Sequence, residues 1–561
     1  YDPYSSRFMT RSDIGTGLGY QRGYQTFAGM LPIMLNPDYS VLFASIRGNV
    51  GYDDSYGFNA GAGVRWYDPE LDRVFGGSFW WDDDNRDPNR YQQYGVSLES
   101  LGTYVDFRIN AYMPTNTDQR QVSKYYTGEV FFVNHNVGLG QRTVLQSPMR
   151  GGDFEIGGAL PLLGDFGLRS YLGSYYFDGD GVGSGSMVGF KTRLEAMVTE
   201  DLWVQLGVTD DKYFGTNTTM AVTLFLPDGS PDRVMSRQPT QERLYMPVER
   251  NYRVTVHQHL LTDPELAINP RTGLPYYIDH VDNTNTNPGD GSYENPFDSL
   301  PPSRPGSTDI IYVHYGDGTT NNMTGGITLA DYQRLWGDGA LHTLHAVQGD
   351  FDFLTGDVGF LPTITNTLGD AVTLANYNEV SGIRIDTPLG AGVYGSGITD
   401  FDLNNVHVVN AGTHGIELLN ATNTPGTPGI ITLSSVLDST NNGIHIENNN
   451  GSTLNVEMSE NTINRNIVGV EVSADNGSTI NASIGLSNLN ENSIGAEFNA
   501  TNGSAVTAVV TDSTATNNDA SGIEAHANNG MIDITISNVE AALNGTNGVF
   551  LEALNAGNLN A

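Results

Sequence analysis

The sequence predicts an all-β protein in two parts, a twelve-stranded transmembrane antiparallel β-barrel followed by a parallel β-helix. Three observations carry this reading. Residues 1–229 alternate apolar and polar side chains over short runs. Residues after about 410 repeat every 26 or 27 positions around glycine. Between the two the composition changes. Of 27 basic residues, 22 lie in 1–253 and 5 in 254–561, while 64 acidic residues divide 30 and 34, so the halves carry net -8 and -29. Residues 1–229 hold 18 of 28 Tyr, 15 of 22 Phe and 4 of 5 Trp; the last 160 residues hold only Phe498 and Phe550.

Composition also excludes. A net charge of -37 over 561 residues makes the chain a poor polyanion binder and argues against a nucleic-acid partner. The absence of cysteine excludes disulfides, Cys-ligated zinc, iron–sulfur clusters and a Cys nucleophile. No run reaches 18 apolar residues, so no transmembrane helix is expected, and no signal peptide opens the chain.

The barrel is expected over 1–227, with strands near 14–20, 24–30, 41–51, 56–67, 74–84, 91–100, 103–113, 152–161, 166–178, 187–199, 201–210 and 217–227. In YVDFRINAY, Val105, Phe107, Ile109 and Ala111 face one way and Asp106, Arg108, Asn110 and Tyr112 the other, a period of two with one apolar side. An even count and lengths near 9–11 residues suit a tilted bilayer span. Aromatics at strand ends (Trp66-Tyr67, Trp80-Trp81, Tyr112, Tyr175-Tyr176-Phe177) read as interfacial belts. Short turns at Leu101-Gly102, Gly164-Asp165 and Glu200-Asp201 contrast with longer, acidic connections at 82–90, 115–124 and 178–186. A soluble all-β domain is the plainer alternative.

Tyr24–Asn49, Phe58–Trp66 (FNAGAGVRW), Gly76–Asp84 (GGSFWWDDD), Tyr104–Pro114 and Asp153–Pro161 resemble the inverse autotransporter barrel of the intimin and invasin family. The resemblance covers about residues 10–255. It implies an outer-membrane location, assembly by the outer-membrane insertion machinery, and a C-terminal passenger sent out through the lumen. Thr127–Gln146 is longer than that pattern and reads as an outer loop with its own hairpin.

Residues 228–256 carry Arg233, Arg237, Arg243, Arg250 and Arg253 among few apolar residues, with three prolines that resist regular structure. Spanning ~30 Å takes about ten extended residues, so the segment can thread the barrel. A cationic strap in a lumen lined by Asp106 and Glu195 is electrostatically matched; a solvated interdomain linker is the alternative. The segment from Pro247 to Val254 resembles the one that leaves the barrel in the intimin family, which favours threading.

The β-helix is expected over 257–561. Gly443, Gly469, Gly495, Gly522 and Gly548 each open a short strand, and Gly451, Gly477, Gly503, Gly530 and Gly557 form a second series. Leu454, Ile480, Val506 and Ile532 stand 26 apart, as do Met458, Ile484, Val510 and Ile536. A third, shorter strand carries Ile463, Leu489, Ala515 and Ala541. One coil cannot bury its own apolar face, and stacking completes the core. Asn466, Asn492, Asn518 and Asn544 form a column expected to hydrogen-bond up the stack as a structural ladder. Residues 289–300, 309–317 and 326–339 resemble the first coils of the pectate-lyase-like right-handed β-helix superfamily, which implies the handedness. Ala561 ends the sequence without a polar or aromatic cap, so a continuation or a capping molecule is expected.

Catalysis on such a stack needs paired carboxylates, or an Arg/Lys base with calcium. Asp400 and Asp402, both expected to point outward, are the candidate hydrolase pair; Asp350/Asp352/Asp357 and His407/His414 are weaker seeds. A chance pair in a strongly acidic domain is the competing explanation. Five Arg and no Lys beyond 253 count against a lyase base or a clamp on acidic sugar. Glu417, Glu471, Glu497 and Glu524, with His445 between the first two, form an outward column. It reads as a solvated face, a cation site with calcium as the candidate ion, or an adhesive face. No metal site is assigned with certainty, and no cofactor is required. The expected function is surface display at the outer membrane, with the C-terminal domain extracellular and serving adhesion or envelope architecture. The expected partners are membrane lipid and a surface glycan or neighbouring envelope protein. A barrel-anchored glycan hydrolase or lyase, and a porin with a β-helix cover, are the alternatives.

Overall fold

In the computed structural model, residues 7–20, 22–36, 39–226 and 234–561 are described. The chain divides into two compact units, Tyr1–Tyr126 with Gln141–Asp263, and Thr127–Gly140 with Pro264–Ala561.

The first unit is a closed antiparallel barrel. Its strands are β1 (Arg7–Gly15), β2 (Tyr24–Asn36), β3 (Ser40–Gly51), β4 (Tyr56–Asp68), β5 (Arg73–Arg86), β6 (Asn89–Gly102) and β7 (Asp106–Pro114). After β8 (Arg120–Val133) come β9 (Asn136–Ala159), β10 (Leu168–Gly179), β11 (Ser186–Met197), β12 (Leu202–Asp211) and β13 (Gly215–Leu226). β1 pairs with β13, β7 with β9 and β9 with β10, so β1–β7 and β9–β13 close a twelve-membered ring, and β8 pairs only with β9. Burial alternates with the opposite sense to a soluble core. In β7, Phe107 and Ile109 are 42% and 52% exposed on the outside, while Asp106 and Asn110 are buried within. Apolar surface turned outward on a ring without edges is the arrangement lipid demands.

Four expectations change. The first strand is Arg7–Gly15 rather than 14–20: the outward Thr10 and Ser12 break the apolar alternation there, and residues 16–20 form a turn bridged between Gly17 and Tyr20. The eighth ring strand, expected at 152–161, is the 24-residue β9. Trp80, Tyr112, Tyr175 and Phe177 are buried rather than belted, because successive residues face opposite sides and only one of each pair reaches lipid; Trp66 and Tyr176 do. Most of Asp82–Arg90 is not a loop, since β5 and β6 stay paired out to Arg86 and Asn89.

The second unit is a parallel solenoid. One sheet runs from Ile278–Val281 through Ile310–Val313, Arg334–Gly337, Asn378–Asp386 and Phe401–Val409 to Asn558–Asn560. A nine-stranded sheet runs from Ile327–Thr328 to Val549–Leu554. Strands of successive coils pair in register: Leu454 lies beside Ile480, Ile480 beside Val506, and Val506 beside Ile532. These four side chains are essentially inaccessible and belong to one core that begins at Val281. The third face is thinner than expected. Ser435–Leu437 pairs with Thr462–Asn464, and beyond it single bridges join Thr462, Asn488, Thr514 and Glu540. A hairpin, Leu341–Ala346 with Gly349–Leu354, enlarges one of the irregular early coils.

Candidate functional site: a strap inside the barrel

The strap follows from what the lumen holds. Inward side chains of the ring bury Asp82, Asp84 and Asp106, which Asn59, Gln93, Arg86 and Tyr171 bond from the wall, and the segment after β13 brings further cations to them. Arg243 donates to both oxygens of Asp106, at 2.5 and 2.7 Å, and to the Gly102 carbonyl at 3.1 Å. Arg250 grips Asp82 with two hydrogen bonds of 2.8 and 2.6 Å, and both side chains are 0% exposed. Arg253 lies 3.0 Å from Asp84 and donates to Ser55 Oγ at 2.7 Å. Arg237 pairs with the exposed Asp165. Arg233 lies outside the described residues. Bidentate guanidinium–carboxylate pairs of this kind fix geometry as well as charge.

The backbone of the strap is satisfied from the wall. An irregular segment has no ladder, so each buried carbonyl needs another donor. Arg65 donates to the carbonyls of Arg243, Leu244 and Met246, Asn59 to Tyr252 at 2.9 Å, and Arg86 to Val254 at 2.6 Å. The Trp80 ring meets Tyr252 edge-on at 5.4 Å, and the Arg47 guanidinium lies 3.4 Å from the Tyr252 ring centre. Glu195 is held from the wall, by Arg193 at 2.6 Å and Gln205 at 2.9 Å. The strap is also one-sided. Glu249, 3.9 Å from Arg11, keeps 32% of its side chain open to a cavity of about 160 Å³ lined by Asp153, Glu155, Lys191 and Arg193.

Direction is fixed by the strand ends. The strap starts beside Thr199, which bridges Val234 at the end holding the β4–β5, β6–β7 and β11–β12 turns. It leaves at the opposite end, where β14 (Val256–Thr262) pairs with residues 142–148 of β9. That end carries the long connection between β7 and β9. Closure, an apolar exterior and a polar interior make this an outer-membrane barrel, and the end with the long connection is the extracellular one. The solenoid follows the strap and is the extracellular passenger.

The other sequence-selected residues fall on the solenoid. Asn492 Oδ1 accepts the Asn466 N–H at 2.9 Å, Asn518 Oδ1 that of Asn492, and Asn544 Oδ1 that of Asn518, each also at 2.9 Å. The Asn492 and Asn544 amides in turn donate to the carbonyls of Ile463 and Ala515. Glu417, His445, Glu471, Glu497 and Glu524 are consecutive neighbours across the nine-stranded sheet. His445 Nδ1 lies 2.7 Å from Glu471 and its ring stacks on His414 at 4.7 Å. Burial opposes charge on His445, yet the hydrogen bond to Glu471 and the Glu471, Glu447 and Glu417 carboxylates outweigh it and raise its pKa. Burial and the neighbouring His445 push His414 down to about 4. Burial, then repulsion from Glu471 and Glu524, raises Glu497 against a hydrogen bond from Asn499. Among the described residues no three His, Asp or Glu side chains are grouped as metal ligands.

Asp400 and Asp402 sit in different settings. Asp400 has φ +54° and its carboxylate accepts the Thr424 N–H at 2.8 Å, a turn-to-turn bond. Asp402 sits on a strand beside Glu379 of the preceding coil, and Arg334 lies one coil further, 3.2 Å from Glu379. Burial raises both Glu379 and Asp402. Sequence spacing missed this cluster because the early coils differ in length. Asp350 pairs with His345, Asp352 with Thr343, and His407 with Ser435 and Asn405.

No protein-family model matches the chain, and no curated protein matches it. Similar solved structures include a chain from work described as "Unveiling the Mechanism Behind the in-meso Crystallization of Membrane Proteins". It is 13% identical and covers 45% of this chain and 100% of its own, at a TM-score of 0.35. The KdgM porin is 8% identical and covers 39% and 98%, at 0.22. The transport unit of the autotransporter AIDA-I from Escherichia coli is 12% identical and covers 39% and 88%, at 0.18.

Proposed function

We propose that this protein is a surface-display protein in the manner of an inverse autotransporter. The barrel anchors, the strap marks the path by which the chain crossed the membrane, and the solenoid is presented for adhesion or envelope architecture. One observation carries the reading: residues 234–256 run inside a closed ring from its short-turn end to its long-connection end, tied to the wall by Arg243, Arg250 and Arg253. A closed ring cannot be entered sideways, which favours passage of the segment along the lumen or closure of the ring around it. Insertion of the barrel belongs to the outer-membrane machinery. The outward Glu417–Glu524 column supports a partner offering cations or hydrogen-bond donors, such as a surface glycan or a neighbouring envelope protein. Proteinase K added to intact cells is expected to cut within residues 400–561 and leave the barrel; full protection in intact cells with cutting after lysis would place the solenoid inside and defeat the reading.

The cavity beside Glu249 supports a second, weaker role as a narrow ion path. Planar-bilayer conductance of the whole chain and of a variant lacking residues 228–256 tests it: a small conductance that rises on deletion is expected, and equal values would mean that the strap does not occupy the pore. Hydrolysis through Asp400 and Asp402 would have to use an Asp400 carboxylate that already accepts the Thr424 N–H; polysaccharide cleavage lost on changing both to Asn would favour it.

A further inference from the structure

We propose that the tip of the β8–β9 hairpin, residues 127–140, is the N-terminal cap on which the solenoid assembles. Parallel stacks have a problem at each end: the first coil leaves a sheet edge unpaired and a cross-section of core open. Here the first strand of the larger sheet is Ile278–Val281, and no earlier strand of that sheet covers it. The hairpin tip takes the start of that edge and the segment leading to it, while Gly291 and Phe297 pair with His280 further along. His135 O accepts the Ile278 N–H at 2.8 Å, Val137 O that of Ala267 at 2.9 Å, and Asn134 O that of Tyr293 at 2.8 Å. Leu139 and Gly138 pair with Glu265 and Leu266 as an antiparallel edge.

The same tip covers the outward face of the first coils, opposite the residues Val281, Ile311 and Val313 that point into the solenoid core. The Phe132 ring sits 4.6 Å from His280, 5.0 Å from Tyr312 and 5.7 Å from Phe353, centre to centre, and His280 and Tyr312 are fully buried. An aromatic wedge on that face, with a short strand beside it, gives the first coils a partner that they cannot supply themselves. The tip precedes the solenoid by more than a hundred residues of sequence and lies on a barrel connection, so it exists before the passenger does. The order of assembly rests on the display reading; the capping role does not.

The test uses the full chain, solubilised from membranes, with Phe132→Ala and with residues 132–136 replaced by Gly and Ser. Tyr125→Ala, on the same hairpin outside the tip, is the control. Barrel folding is read by heat-modifiability on gels and the solenoid by protease survival. The expected result is an intact barrel in all three, with solenoid survival shortened roughly ten-fold in both tip variants, less than the loss of a fully buried aromatic side chain would give because Phe132 is half-buried. Unchanged survival in both overturns the proposal. So does loss of the barrel together with the solenoid, which would make the hairpin a barrel element. Because solubilised protein is read, failure of surface exposure on cells would sink the display reading and leave this result standing.

Discussion

Arg250 and Asp82 show how much can rest on one residue. Both are closed off from solvent, so removing one partner strands the other's charge. Arg250→Ala is expected to cost about 3–5 kcal/mol, with Arg250→Met plus Asp82→Asn costing less than either single change. Strap release, read as higher bilayer conductance, checks it; equal penalties for single and double variants would sink the idea. Asn492→Ala removes the acceptor of the Asn466 N–H and is expected to lower solenoid stability by about 1–3 kcal/mol in denaturant melts. His445 gives a pH signature. Its raised pKa means that its contribution is complete below about 6.5 and lost as pH rises through the folded value. Despite burial, the His445 hydrogen bond lowers Glu471, whose contribution is present above about 4.5 and lost as pH falls through its folded value. The stacked His414, lowered to about 4, opposes them by losing stability as pH falls from about 6.5. His445→Gln should therefore lower the solenoid melting temperature more near about pH 5.5 than near about pH 9, whereas His414→Asn should raise it near about pH 5.5. Equal shifts at both values would refute the pairing.

Whole elements were legible where a period was strict. The 26-residue columns placed Leu454, Ile480 and Val506 in one buried row because each coil repeats its neighbour's length. The Arg334–Glu379–Asp402 row was not legible, because the intervening coil holds the Leu341–Leu354 hairpin and the spacing fails. In the barrel the alternation was legible but its phase at Trp80-Trp81 was not, since either residue could have faced lipid. The glycine columns have two causes. Gly477 turns the chain at φ +76°, a conformation glycine adopts freely. Gly495 has ordinary backbone angles, but a Cβ there would lie 2.5 Å from the Gly522 carbonyl oxygen of the next coil. Gly495→Ala is expected to push two coils apart and cost about 1–3 kcal/mol. A melt indistinguishable from the parent would show that the stack gives way freely at that point.

Taken whole, the molecule joins two solutions to the same difficulty, unpaired strand edges. The ring abolishes them, and the stack passes them from coil to coil. In-register stacking has a consequence for length. Excising residues 469–494 would join Val468 to Gly495 and restore every column, whereas excising half as many would throw both sheets out of phase. The first variant should fold and the second should not, as judged by cooperative melting. The height of the passenger is thus a digital quantity, changed by whole storeys of ~4.8 Å, and a single duplicated segment would lengthen it with no other part of the protein redesigned.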